Sequence, residues 1–501
     1  MKQKFYNCTL SNQINIGLIV GFLILCISSF IARNFVMSQF GGYDLSPIID
    51  LSWRLSNHEV PGRDFINTMP LLFVLLIKLV SFGHLSWINL TSANIAAVFL
   101  TYILLYEISK SKNCNQAWYA TIAIVISIPL IYTNHIWHSS LSQYSAIIYF
   151  YAVYIAISFD FTSKKLFAYI FTGAFLVVLS KQNISIPLLV SVPIFLILFR
   201  ESNRYFVFMA TVAGCISGVF FATYFLNVSA QGFIYSYLAI LGRAKPDPAM
   251  WPAIINVTSH KPLLILSSLL GLLAIFSVTK NFKRGVKRNI FLLFFTALSF
   301  IPIATDWDTK FNNAPLFLFI CVTAIYYEST PLKQKLFSTA ALFLMIGIFY
   351  ISFLGGFKRE RMMHVGPFYQ TPAEFHIESG YFSGLQTGNN FKNLLLEINS
   401  VKNNAQFKKY FFGPRIEFGY MVIKVRSPLG MPLWFHPGTS YALNDELRVI
   451  EAFKKSEFDV LVFARGDRTR MPAGIIDHIQ NNFYLEKAYE FIDVYTKKTN
   501  N

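Results

Sequence analysis

The sequence predicts an all-α polytopic membrane protein of about eleven transmembrane helices, with amphipathic outer-face helices and a small α/β domain at its C-terminal end. Three observations carry this. Of 501 residues, 54% are hydrophobic and only 14% charged, where a soluble domain averages about 25% charged. Apolar runs that approach the width of a bilayer recur from residue 14 to residue 354. Beyond 356 those runs stop and short alternating stretches replace them. Disorder, a coiled coil and an ordinary soluble enzyme are excluded by this composition. Five cysteines without metal-ligand spacing give neither a zinc knuckle nor a disulfide framework.

The expected spans are 14–32, 88–107, 117–133, 144–160, 166–180, 184–199, 205–226, 262–279, 289–304, 315–328 and 336–354. The first is too long for a signal peptide, and Arg33-Asn34-Phe35 follows it instead of a small-residue cleavage site. Net charge is +17. Residues 1–354 hold 24 Lys and Arg against 11 Asp and Glu, mostly in short loops. That is topology, not a nucleic-acid face. Fifteen of the 24 lie in the N-terminus, 108–116, 159–165, 200–204, 280–288 and 329–335. The positive-inside rule puts these segments in the cytoplasm. The N-terminus is then cytoplasmic, and residues 355–501 lie outside, on a multi-pass protein of the cytoplasmic (inner) membrane.

One apolar run breaks the alternation. Residues 70–83, PLLFVLLIKLVSFG, are short and contain Lys78. Counting them as a span would place the basic cluster Lys280, Lys283, Arg284, Lys287 and Arg288 outside. They are read as a helix lying along the outer face. The basic cluster then fixes topology and touches anionic membrane lipids.

Acids are scarce near the spans, and their placement is uneven. Asp44, Asp50, Glu59 and Asp64 all fall in the outer loop 33–69. Within it, 47–55 has apolar residues at helical spacing, with Pro47 at a helix start. Pro61-Gly62-Arg63-Asp64-Phe65 makes a turn, and Pro70 opens the next helix. An aspartate, an amphipathic helix, an R-D-F turn and a Pro-led apolar helix form a pattern that resembles the first outer loop of the GT-C membrane glycosyltransferases. VLSKQNISIPLL at 178–189 is similar to their T-K-Q-N or T-K-P segment. YFFGPRIEFGYMV at 410–422 and PLWFHPGTSYALNDE at 432–446 resemble their outer C-terminal segment. Among GT-C proteins the chain looks most like the RgtA/B/C/D-like set, beside the protein O-mannosyltransferases and the aminoarabinose transferase. One departure stands out. Members often carry Asp-Glu or Asp-Tyr-Gly at the first acid, and this chain has Asp44-Leu45-Ser46.

The resemblance implies sugar transfer from a polyprenyl-phosphate donor to an envelope glycan or glycolipid acceptor, with inversion. Asp44 is then the candidate general base, since a carboxylate takes the proton of an attacking hydroxyl. Its other reading is a cap on the helix at Pro47. Asp64 is the second catalytic candidate; it would orient the acceptor, hold Arg63, or share a divalent cation with Asp44. The metal-free role is preferred, with a divalent cation as the alternative and no certain cofactor. Lys181, with its neighbour Gln182, is the first choice for the leaving phosphate. The plain alternative is a snorkelling lysine at a span end. Arg63 and Lys78 are further phosphate candidates. His135 and His138, three apart in HIWHSSLSQ, and Arg243 would line the acceptor cleft, while Arg243 and Lys245 are also weaker phosphate candidates. Two histidines are too few for a zinc site. Asp306 and Asp308 read as solvated acids.

Domain organisation follows: 1–354 is the transmembrane catalytic domain, with the first outer loop at 33–87, and 355–501 is the extracytoplasmic α/β domain. In the latter, 420–425 and 458–464 read as strands, LNDELRVIEAFKKS and PAGIIDHIQNNFY as helices, and AYEFIDVYT as a last strand. Gly466-Asp467-Arg468 reads as a weak ligand loop. Two rival classes remain: a transporter or flippase of lipid-linked saccharide, and an inactive accessory protein of envelope glycan assembly. A transporter is expected to show repeated halves and polar breaks near the midplane, and no internal repeat is evident.

Overall fold

In the computed structural model of the protein, each of the eleven apolar runs lies on a helix. The structure describes residues 16–36, 45–81, 86–110, 116–132, 136–159, 162–199, 203–238, 261–280, 286–305, 310–328, 331–362, 375–402, 409–435, 437–438, 440–465 and 471–498. The helices of the first part are α1 Ile16–Ile31, α2 Ser46–Ser56, α3 Leu71–Val80, α4 Trp87–Ser109, α5 Gln116–Tyr132, α6 His138–Phe159, α7 Lys164–Val178, α8 Gln182–Leu198, α9 Arg204–Leu226, α10 Ala230–Leu238, α11 Lys261–Lys280, α12 Val286–Thr305, α13 Lys310–Asn313, α14 Pro315–Glu328 and α15 Pro331–Met362. Among the described residues, six segments are long and apolar enough to cross a membrane: Ile16–Asn34, Trp87–Ser109, His138–Phe159, Arg204–Leu226, Pro262–Lys280 and Leu336–Leu354. Ala117–Tyr132, Gln182–Leu198 and Pro315–Tyr327 are apolar but shorter.

Hydrogen bonds sort the helix ends into two sets. At one end, the Ser109 hydroxyl meets Tyr151 at 2.9 Å and Tyr151 meets Tyr327 at 2.8 Å. There too Asn203 Nδ2 donates to the Ala156 carbonyl at 3.0 Å. At the other end, Lys181 N–H donates to Ser142 Oγ and Ser140 Oγ donates to Asn312 Oδ1. Helix α3 belongs wholly to this second end. Its Leu72 N–H donates to the Leu179 carbonyl at 2.8 Å, and its Lys78 ammonium to the Phe225 carbonyl at 2.6 Å. Ten residues at 1.5 Å each cover about 15 Å, roughly half a hydrocarbon core. Helix α3 is therefore too short to span a hydrocarbon core by itself. Nor is it a surface strip, because Leu71–Leu75 and Ile77 are all buried.

Small residues let the bundle close where polar pairs do not hold it. Helix α9 meets α7 along Gly214 and Gly218. A Cβ at Gly214 would fall on the Phe171 carbonyl oxygen, and one at Gly218 would lie 2.9 Å from the Phe175 carbonyl oxygen. Both neighbours are backbone and cannot step aside, so the helix axes approach only because these positions lack side chains.

The C-terminal part has a two-stranded antiparallel pair, β1 Phe375–His376 and β2 Gln386–Thr387, then helix α16 Asn389–Val401. A four-stranded sheet follows, built from β3 Tyr410–Phe412, β4 Val460–Ala464, β5 Phe483–Ala488 and β6 Ile492–Lys497 in the order β3-β4-β6-β5. Strands β3 and β4 run parallel and the other pairs antiparallel. Helices α18 Glu446–Lys455 and α19 Ala473–Asn482 lie where the sequence expects them, with α17 Gly419–Val422 before them. Two strand expectations need correction. YMVIKV at 420–425 is not a strand: α17 covers its start, and Lys424 has φ 59°. Its alternation misleads because one tight turn buries consecutive residues, 416–421, against the Phe412 ring. AYEFIDVYT is half strand, since Tyr489 N–H bonds back to Ile492 O in a hairpin turn before β6 begins.

Two large cores result. One fills the helical bundle around α5, α6 and α14. The other joins α2, α3, Trp87, Leu179 and Leu226 to Phe382, Phe391, Phe418, Tyr420 and Val462. The first outer loop and the C-terminal domain thus share one core. Replacing Gly214 by Leu is expected to destabilise the purified protein by more than the 1–3 kcal/mol typical of overpacking, whereas Gly214→Ala should cost less. Thermal unfolding in detergent reads this, and equal melting of Gly214→Leu and the wild type would refute the close packing.

Candidate functional site

Helix α2 begins at Ser46-Pro47, with proline in its first turn where its missing N–H costs nothing. Asp50 and Arg54 fall four apart on one face, and both are buried to 1% exposure. Arg54 Nε donates to Asp50 Oδ2 at 2.7 Å, and its Nη1 donates to Glu59 Oε2 and to the Pro428 carbonyl, each at 3.0 Å. The guanidinium also lies 5.2 Å from the centre of the Phe65 ring. Ser427 Oγ donates to Asp50 Oδ1 at 2.5 Å. One cation thus faces two carboxylates away from water. Burial pushes Asp50 upward against the pull of Arg54, and pushes Glu59 up to about 6.

The same helix binds the C-terminal domain at two more points. Ser46 Oγ donates to Glu417 Oε2 at 2.5 Å and accepts from Phe418 N–H at 3.3 Å. Trp53 Nε1 donates to the Val425 carbonyl at 2.8 Å. Complete burial pushes Glu417 up to about 8. The R-D-F turn is pinned from the same side: Gly430 N–H donates to Asp64 O at 2.7 Å, and Ile66 N–H to Met431 O at 3.0 Å.

The expected site residues divide as follows. Asp44, His135, Arg243 and Lys245 lie outside the described residues, as do Asp306, Asp308 and Gly466-Asp467-Arg468. Arg63 and Asp64 face each other: Arg63 donates from Nε to Asp64 Oδ1 at 2.9 Å and from Nη2 to Asp64 Oδ2 at 2.7 Å. Asp64 Oδ2 also accepts from Val60 N–H at 2.7 Å. The Arg63 hydrogen bonds hold the Asp64 carboxyl below the usual range. Its visible work is to hold the turn. Lys78 is committed to the Phe225 carbonyl, with its ammonium 4.8 Å from the centre of the Phe225 ring.

Lys181, Gln182 and His138 come together. Helix α7 ends at Leu179, and α8 restarts with Lys181 as its N-cap and no capping side chain. The first N–H groups of α8 thus have no side-chain cap, which is the feature that lets a helix start receive an anion. Lys181 Nζ donates to Ser139 Oγ at 3.2 Å. Ser139 Oγ lies 3.3 Å from His138 Nδ1, and the His138 ring sits 4.6 Å from Trp137 and edge-on to Phe73. The neighbouring amides are buried, and their carbonyl oxygens are used by the fold. Asn312 Oδ1 accepts from Ser140, and Gln143 Oε1 accepts from Leu316 N–H at 2.8 Å. Asn312 Nδ2, Gln143 Nε2 and Gln182 Nε2 have no protein partner. Each such donor costs about 1–3 kcal/mol in the absence of an acceptor. Among the described residues no group of three His, Cys, Asp or Glu side chains is placed to hold a metal ion.

Arg54 and Glu417 were not among the sequence candidates, and Asp50 and Glu59 appeared only as loop acids. A signal was present for one pair. Asp50 and Arg54 stand at i,i+4 spacing in an otherwise apolar helix, the spacing of a helical ion pair. Nothing local marks Glu417 as the partner of Ser46, 371 residues away.

No family model matches the sequence, and no curated protein matches it. The chain is similar to three kinds of solved structure. One is the Archaeoglobus fulgidus oligosaccharyltransferase in complex with Zn and sulfate, at 12% identity and TM-score 0.45, covering 88% of this chain and 68% of that one. Another is ArnT from Cupriavidus metallidurans bound to undecaprenyl phosphate, at 9% identity and TM-score 0.41, covering 97% and 99%. The third is the mycobacterial arabinofuranosyltransferase AftD, at 11% identity and TM-score 0.46, covering 98% of this chain but only 40% of that chain.

Two outcomes follow from the buried ions. Arg54→Met strands Asp50 and Glu59 without a cation, and should cost about 3–5 kcal/mol; unfolding within 1 kcal/mol of wild type would refute it. Glu417 has a folded value of about 8 against an ordinary 4.5. The folded chain holds a proton there that the unfolded chain has released, so stability falls as pH rises from 4.5 through about 8. Glu59 contributes the same sign only up to about 6. Melting temperature against pH should therefore fall between 6 and 8, and Glu417→Gln should flatten that stretch. An unchanged slope in Glu417→Gln would exclude this carboxyl as its source.

Proposed function

We propose that the protein is a membrane glycosyltransferase that moves a sugar from a polyprenyl-phosphate donor to an envelope glycan or glycolipid at the outer face of the cytoplasmic membrane. One observation supports it above the others. At one end of the bundle α8 starts without a capping side chain beside Lys181, whose ammonium bonds to Ser139 on the first turn of α6. Buried amide donors of Gln143, Gln182 and Asn312, on the starts of α6 and α8 and on α13, have no protein partner among the described residues. Such a place suits an anionic headgroup whose tail stays in lipid. In this reading the Lys- and Arg-rich helix ends are cytoplasmic, all eleven apolar helices cross, and α3 stays on the outer side.

The chemistry assigned to the residues is a single displacement. An acceptor hydroxyl attacks the anomeric carbon, the carbon–oxygen bond to phosphate breaks, and its electron pair stays on the phosphate oxygen. Lys181 and the α8 N-terminus stabilise that charge as it grows. Asp44 takes the hydroxyl proton as the new bond forms. It precedes Ser46 by two residues, and Ser46 is anchored to Glu417. Gln182 adds an amide to the phosphate side. Arg63 and Asp64 support the turn instead of meeting the reacting atoms, which agrees with their mutual ion pair. His138, and His135 and Arg243 from segments outside the described residues, are assigned to the acceptor side. The C-terminal domain holds the first outer loop in place, because it shares that loop's core and its buried ions.

The test is transfer of labelled sugar in vesicles, with polyprenyl-phosphate sugar as donor and envelope glycan as acceptor. Asp44→Asn should lower transfer at least 100-fold, the scale of general-base catalysis, without loss of donor binding. Lys181→Ala should weaken donor binding. Wild-type vesicles that carry labelled lipid across the bilayer without transfer would replace this reading with a transporter. Full transfer by Asp44→Asn would remove Asp44 as the base.

A further inference from the structure

We infer that Ser139 and Ser142 are positioning residues that hold Lys181 at both ends, so that its ammonium meets a lipid phosphate in one fixed geometry. The two serines stand one turn apart on α6, which places both hydroxyls on the same helix face. Both are buried, at 0% and 1% exposure. Ser142 Oγ accepts the backbone N–H of Lys181 at 2.9 Å and donates to the His138 carbonyl at 2.8 Å. Its hydrogen bonds therefore lock the residue that starts α8 onto the first turn of α6. Ser139 Oγ accepts from the Lys181 ammonium at 3.2 Å. Ser139 Oγ also lies 3.3 Å from His138 Nδ1, within hydrogen-bond reach. The His138 ring is in turn held by Trp137 and Phe73.

A lysine at a membrane boundary ordinarily moves its head toward water along a flexible four-carbon stem. Here the start of the stem and its tip are both bonded to one buried helix face. Snorkelling would break the Ser139 hydrogen bond and leave a buried hydroxyl acceptor unspent. The pair of serines converts a mobile cation into a fixed one beside the uncapped α8 N-terminus. That preorganises the charge before a ligand arrives, so less ordering is left to do on binding.

This inference rests on the reading of Lys181 as the phosphate-binding residue, and the experiment separates the two. Full-length protein in detergent is titrated with a polyprenyl monophosphate and with the uncharged polyprenol of the same length. Wild type should prefer the phosphate. Lys181→Ala should lose that preference. Ser139→Ala should weaken phosphate binding about tenfold, the equivalent of one hydrogen bond to a charged group, and leave polyprenol binding unchanged. Ser139→Thr, which keeps the hydroxyl, should stay within about twofold of wild type. In transfer assays Ser139→Ala should raise KM for the donor more than it lowers kcat. The double variant Ser139→Ala with Lys181→Ala should bind no more weakly than Lys181→Ala alone, because the serine acts through the lysine. If Ser139→Ala fails to reach the membrane, Ser139→Cys gives the same comparison with a weaker acceptor. Wild-type phosphate binding by Ser139→Ala, with Lys181→Ala impaired, overturns the serine role and leaves the Lys181 reading standing. Additive losses in the double variant overturn it too. Unimpaired Lys181→Ala overturns both.

Discussion

A guanidinium enclosed at 1% exposure must be matched by anions or the fold cannot bear it. Arg54 meets that demand with Asp50 from its own helix, Glu59 from the next turn and the Pro428 carbonyl from the C-terminal domain. None of the three can move without exposing or stranding charge. The first outer loop is thereby tied to a chain segment more than 370 residues away. Around that ion group the packing is apolar and shared: Leu55, Phe65 and Phe73 from the loop lie in one core with Phe418 and Tyr420. The geometry of everything carried on that loop depends on this joint.

The other constraint sits on the bundle. Helices α7 and α8 break at Leu179–Lys181, and the break is used rather than merely tolerated. Leu179 gives its carbonyl to Leu72 of α3, and Lys181 gives its N–H and its ammonium to α6. One interruption thus positions the short helix α3 and the candidate phosphate ligand together. The glycine contacts of α9 keep α7 close enough to the bundle for that interruption to fall at its edge. The loop joint and the helix break meet through α3, which follows the R-D-F turn in sequence and touches both α2 and the end of α7.

Much of this was legible from residues alone. The eleven apolar runs lie on helices, which satisfy the backbone N–H and C=O groups of long apolar segments internally. The Pro47 helix, the Pro70 helix, and the helices at 446–455 and 473–482 lie where turn chemistry and periodicity put them. Lys181 and His138, expected on different sides of the site, are both within hydrogen-bond reach of Ser139 Oγ. What was not legible has a common physical cause. The partner of Ser46 is Glu417 and the partner of Asp50 is Ser427, pairs with no spacing or period to connect them. Strand-like YMVIKV turned helical because Gly419 admits the Phe412 ring, a contact that no local pattern encodes.

Sequence by itself determined which segments are apolar enough to be helical spans, where the chain turns, and which residue types stand ready at its breaks. Those properties are local: they depend on side-chain transfer energies, on proline and glycine backbone freedom, and on spacing along one helix. Only the tertiary structure decided that α3 packs against the end of α7, that Arg63 and Lys78 are occupied by Asp64 and Phe225, and that Ser139 and Ser142 bond to Lys181. The reason is that an ion or a buried donor takes whichever partner packing brings within about 3 Å, and packing is a property of the whole chain.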